Sequence, residues 1–89
     1  MGQNYPNPFN PSTQISFDIP EASELVTLSV YNILGQNINK LVSGSMNAGR
    51  YTQEWDATDE LGSPVASGIY FYELRSSNFV SRKKMLLIR

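Results

Sequence analysis

The chain has 89 residues, 8 of them acidic and 7 basic, for a formal net charge of −1, and it contains no histidine and no cysteine. That length bounds it to one small domain, and the missing thiols exclude a disulfide framework and a thiolate zinc site. Near-neutral charge argues against general nucleic-acid binding, which calls for a basic domain, and no apolar run approaches the ~20 residues of a membrane-spanning helix.

Residues 1–12 form a proline- and asparagine-rich opening segment, with Pro6, Pro8 and Pro11 interleaved with Asn4, Asn7 and Asn10. Proline fixes φ and restricts the residue before it, so the stretch is extended or turning, not helical. It reads either as a linker ending a preceding domain or as a segment docked on this one through Tyr5 and Phe9. Two aromatics favour docking, because free linkers seldom carry them. Met1-Gly2 reads as an added start, and no signal peptide is present; if the domain is exported, its signal is expected at the start of a longer parent protein.

From residue 13 to 89 the pattern is that of strands. Thr13 to Ile19 alternates with period two, which places Ile15, Phe17 and Ile19 toward a core and Gln14, Ser16 and Asp18 toward water. Pro20 ends it, and Glu21-Ala22-Ser23-Glu24 makes a polar turn. Leu25 to Tyr31 repeats the alternation with Val26, Leu28 and Val30 inward. Asn32 and Gly35 suit the first and last positions of a type I turn, with Gly35 at positive φ. The hairpin returns along Gln36 to Val42, whose irregular pattern predicts a bulge. Ser43 to Gly49 is rich in turn formers and reads as a loop, after which Tyr51, Gln53 and Trp55 share a strand face. Asp56 to Ser67 is the longest irregular stretch. Gly68 opens a strand that is apolar on both faces through Leu74 and therefore central in its sheet. Ser76-Ser77-Asn78 turns the chain into a final strand beginning at Phe79. Short strands with turn signals every ~8–12 residues describe an all-β, immunoglobulin-like antiparallel sandwich of about six to seven strands. Its core is expected to include Ile15, Phe17, Val26, Leu28, Val30, Trp55 and Tyr72.

Catalysis finds no support: the usual general base and thiol nucleophile are missing, and no serine sits in Gly-x-Ser-x-Gly or Ser-x-x-Lys. No cofactor is implied. Asp56 and Asp59, on a glycine-containing loop, are a candidate calcium pair, although the spacing departs from the EF-hand loop. The competing reading has both side chains holding the turn. Tyr70, Phe71 and Tyr72 would stack on sugars if exposed, but on alternating strand positions such residues more often pack in the core.

Charge is divided along the chain. Every acidic residue precedes Leu74, while Arg75, Arg82, Lys83, Lys84 and Arg89 follow it. Such a cluster either keeps an edge strand from pairing or is read by a partner. Val80, Met85 and Leu87 are expected to pack inward and leave the charges facing out.

Asn4-Tyr5-Pro6-Asn7-Pro8-Phe9-Asn10-Pro11 at the start, Asn32-Ile33-Leu34-Gly35, Trp55-Asp56-Ala57-Thr58-Asp59, Ser67-Gly68-Ile69-Tyr70-Phe71-Tyr72 and the closing Lys84-Met85-Leu86-Leu87-Ile88-Arg89 occur in this order. The set resembles the type A C-terminal sorting domain of the type IX (Por) secretion system of Bacteroidetes, over nearly the whole chain. Its middle section, Trp55 to Tyr72, is similar to the immunoglobulin-like domain of flagellar hook-capping proteins. The sorting resemblance implies a non-catalytic domain that directs an N-terminal cargo across the outer membrane. Its implied partners are the type IX machinery and a sortase-like peptidase that removes the domain. It implies passage through the periplasm to the cell surface or medium. It also assigns recognition to Arg82, Lys83, Lys84, Met85, Leu87 and Arg89, and mainly structural motif roles to Pro6, Asn7, Pro8, Gly35, Gly49, Trp55, Gly68 and Tyr70. The terminal residue is arginine where the family often has lysine. The alternative is a generic immunoglobulin-like accessory module with a carbohydrate-binding, adhesive or spacer role.

Overall fold

Alternating side chains on short strands can bury only one face of a sheet, so two sheets must close on each other. The computed structural model, which describes Met1–Arg89, does this with six strands. They are β1 (Thr13–Ile19), β2 (Ser23–Asn32), β3 (Asn37–Met46), β4 (Gly49–Trp55), β5 (Gly68–Arg75) and β6 (Val80–Leu87). One sheet pairs β1 with β4, and the other runs β3-β2-β5-β6, antiparallel at every pairing. The chain is an immunoglobulin-like β-sandwich. β5 lies between β2 and β6, which accounts for its apolar residues on both faces.

The core gathers Ile15, Phe17 and Ile19 of β1 and Trp55 of β4 against Val26, Leu28, Val30, Tyr70, Tyr72, Leu74, Met85 and Leu87 of the other sheet. All seven residues expected there are buried. Trp55 sits between Phe9 and Tyr70, with ring centroids at 5.6 and 5.3 Å, and its indole N–H donates to the Thr58 carbonyl at 2.9 Å. The polar tip of the largest core side chain is thereby satisfied, as burial requires.

Three local expectations are corrected. β2 begins at Ser23, inside the stretch whose composition predicts a turn, and β3 runs on through Met46, where turn formers predict a loop. Cross-strand pairing of Val26 with Gly44 and Ser23 with Met46 carries the hairpin past those weak β formers. Packing and partner strands override propensity here. The expected bulge is present as register shifts along the β2–β3 ladder. β6 begins at Val80, not Phe79, and Val80 is 51% exposed instead of packing inward.

The opening segment is bonded into both sheets. Tyr5 and Gln14 exchange backbone hydrogen bonds at 2.9 and 2.8 Å on the outer edge of β1. Phe9 N–H donates to the Leu86 carbonyl and Ile88 N–H to the Phe9 carbonyl, both at 3.0 Å, on the outer edge of β6. Between them Asn4 is buried, its amide donating to Thr13 Oγ1 and to the Pro6 carbonyl. The Tyr72 hydroxyl accepts from the Asn4 N–H and donates to the Gly2 carbonyl, each at 2.8 Å. Phe9 docks in the core. Tyr5 does not: its ring is 78% exposed, and only its backbone is engaged.

Candidate functional site

The basic tail divides by strand alternation. In β6, Met85 and Leu87 face the core, at 1% and 0% exposure, so any recognition they carry acts through the shape they hold. Arg82, Lys84 and Leu86 lie on the outer face, opposite Glu73, Phe71 and Ile69 of β5.

Two of the four cations are already committed. Arg82 Nη2 lies 2.7 Å from Glu73 Oε2, Arg75 Nη2 lies 3.3 Å from Oε1, and the Arg82 guanidinium stands 5.4 Å from the centre of the Tyr31 ring. Glu73 is itself buried. Burial pushes its carboxyl up, but the hydrogen bond and charge of Arg82, with Arg75 adding to them, outweigh this and hold its pKa below the ordinary 4.5. Arg89 closes the chain as a clamp. Its guanidinium donates to the Val65 carbonyl at 2.6 Å and the Ala57 carbonyl at 2.8 Å, and its N–H donates to Ser67 Oγ at 2.9 Å. Arg82, Lys84 and Arg89 are exposed as expected, although Arg82 and Arg89 also hold structure. Lys83 departs from the expectation, since it alternates with Met85 onto the face opposite Lys84, across from Tyr72, and is only partly exposed. Neither lysine makes an ion pair. Sequence reasoning missed Glu73. An isolated acid inside the apolar run Gly68–Leu74, followed at once by Arg75, was the available signal.

The motif residues fall into structural places. Asn7 Oδ1 accepts from the Leu86 N–H at 3.0 Å, which seats the Pro6-Asn7-Pro8 motif beside the last strand. Gly35 has φ of +82°, and its N–H donates to the Asn32 carbonyl at 3.0 Å, the turn its position predicts. Gly49 and Gly68 open β4 and β5. Trp55 and Tyr70 are core residues, and Tyr72 is buried with them, so two of the three candidate sugar-stacking aromatics lie inside. Asp59 holds its turn: one carboxylate oxygen accepts from Leu61 and Ser63 N–H groups, each at 3.0 Å. Asp56 accepts from the Thr58 hydroxyl. Neither belongs to a cluster of three or more metal-binding side chains.

A family model described as the FlgD Ig-like domain matches residues 3–78. The chain belongs to the FlgD Ig-like domain family. The match extends well beyond the middle section that carries the resemblance in sequence. Among solved structures, FlgD from P. aeruginosa is similar at a TM-score of 0.65 and 25% identity, covering 84% of this chain and 57% of that one. Dimeric latent PorU from Porphyromonas gingivalis is similar at a TM-score of 0.68 and 21% identity, covering 97% of this chain and 9% of that one. The chain thus spans little over half of the first protein and a small part of the second. No curated protein matches it. The family match ends at residue 78, within the β5–β6 turn, so β6 lies outside it.

Proposed function

We propose that this domain is a C-terminal sorting domain: a non-catalytic address that directs a larger parent protein through the type IX secretion system across the outer membrane. A sortase-like peptidase then removes it, and the exported cargo stays on the cell surface or enters the medium. The observation that carries this reading is the meeting of the opening motif with the closing one. Asn7 and Phe9 of the opening motif bond directly to Leu86 and Ile88 of the closing one, joining chain ends about 79 residues apart in sequence into one structural unit. Fold likeness to a segment of PorU supports the same setting. A self-sufficient sandwich with its final strand on an edge can fold whatever cargo precedes it and still present that strand.

The test is a reporter fused ahead of the domain in a type IX-competent bacterium. Exposed lysines seldom contribute more than about 0.5 kcal/mol to stability but strongly affect association with an acidic partner. Lys83→Glu/Lys84→Glu is expected to leave the melting temperature nearly unchanged while the reporter is retained in the cell. Normal secretion of the charge-reversed, folded fusion would leave these lysines with edge protection alone. Retention of the unfused domain on a carbohydrate column would favour an accessory module instead.

A further inference from the structure

Antiparallel pairing leaves alternate residues of an edge strand with their N–H and C=O groups aimed away from the sheet. In β6 these are the even-numbered residues. Leu86 N–H donates to Asn7 Oδ1 and its carbonyl accepts from Phe9 N–H, both at 3.0 Å, and the Lys84 carbonyl accepts from Gln3 Nε2 at 2.9 Å. By the same alternation the Lys84 N–H and both backbone groups of Arg82 point to that edge, where no segment of the chain bonds them. The last strand is thus closed along its second half by the opening segment and open from Val80 to Lys84.

The open half is cationic. Arg82, Lys83 and Lys84 lie on it, no acidic residue follows Glu73, and Glu73 is neutralised by Arg75 and Arg82. Where the open half meets the closed half, Asn7, Ile69, Lys84, Met85 and Leu86 line a cleft of about 170 Å³, its lining mostly apolar with Lys84 as its one charged residue. Asn7–Phe9 already demonstrates that this edge accepts a neighbouring extended segment.

We propose that the Val80–Lys84 edge of β6 accepts an added strand from an extended, acidic segment of a partner protein. This deepens the sorting reading and rests on it for the partner's setting. Main-chain bonds to Arg82 and Lys84 supply the attachment, and acidic side chains opposite the cations supply the selectivity. The same charges oppose pairing of β6 with a second copy of itself, because like charges would face one another across the ladder. An edge protected against its own kind is in this way kept open to its electrostatic complement.

The probe is a short synthetic peptide of alternating glutamate and valine, with a lysine–valine peptide as control, read by amide hydrogen exchange on the full chain. The acidic peptide should slow exchange at Arg82 and Lys84 by about tenfold or more, while Lys83 and Met85, already turned toward β5, change little. No slowing, or equal slowing by the lysine peptide, overturns the proposal. Lys84→Pro removes the edge N–H together with the charge, and Lys84→Ala removes the charge alone; proline is tolerated where the N–H faces outward. In the reporter fusion, Lys84→Pro should export at least about tenfold less than Lys84→Ala, the difference made by the main-chain donor. Should Lys84→Pro fail to fold, the exchange experiment on the unaltered chain decides. An exported fusion in which the two variants behave alike sinks strand addition and leaves the sorting reading standing. A fusion that is never exported, with peptide protection intact, sinks the sorting reading and leaves strand addition standing.

Discussion

Glu73 is where single side chains matter most. It places a carboxylate under two arginines on the outer face of the sheet, and those arginines are half exposed while the acid is not. Replacing it with glutamine keeps the shape but removes the charge that both guanidinium groups use. We expect Glu73→Gln to destabilise the domain by about 1–3 kcal/mol near neutral pH, measured by urea unfolding. The sign of the pH dependence follows from a folded pKa lowered from 4.5. The advantage of the native residue is complete above that value and lost as pH falls through the lower folded-state pKa, so the two proteins should converge in stability on acidification. A gap that widens toward low pH would contradict the ion-pair assignment. At Gly35 the question is purely one of backbone. A Cβ there meets nothing within 4 Å, but φ is +82°. Gly35→Val should therefore cost more than about 1 kcal/mol and Gly35→Asn much less, because asparagine tolerates the left-handed region.

At the scale of elements, the opening segment behaves as part of the sandwich and not as a tether. Phe9 is buried to 2% exposure against Trp55, so Phe9→Ala should cost about 3–5 kcal/mol, a large share of what a domain this size holds. Amide exchange at Leu86 and Ile88 should accelerate in the same variant, since their edge partners are Asn7 and Phe9. Unchanged protection there would reduce the segment to a linker. Much of the element plan was legible in sequence. Period-two alternation placed β1 and the inward face of β2, Asn32 and Gly35 placed the turn, and two-faced apolarity marked β5 as central. What local pattern could not give was long-range pairing. Ser43–Met46 looks like a loop until its partner strand is supplied. Likewise, the charges at Arg82 and Arg89 look free until Glu73 and the carbonyls of Ala57 and Val65 are brought to them. Tyr5 failed for the opposite reason, since an aromatic in a docked segment need not be the residue that docks.

For the whole molecule, the sandwich divides labour between a sealed core and the partly open, cationic edge at β6. Every buried side-chain nitrogen and oxygen has a hydrogen-bond partner within the chain. The opening segment, through which a preceding cargo would join, is bonded to the same strand that carries the basic cluster. In the proposed sorting role, the domain would travel with its closing strand held in place by its own point of attachment. The most direct measurement of that role is the fate of a reporter bearing an export leader at its start and this domain at its end, compared in a type IX-competent strain and an isogenic strain lacking the translocon. The reporter should reach the surface or medium in the first strain and stay in the periplasm in the second. Equal release from both strains, or equal retention in both, would contradict the sorting role.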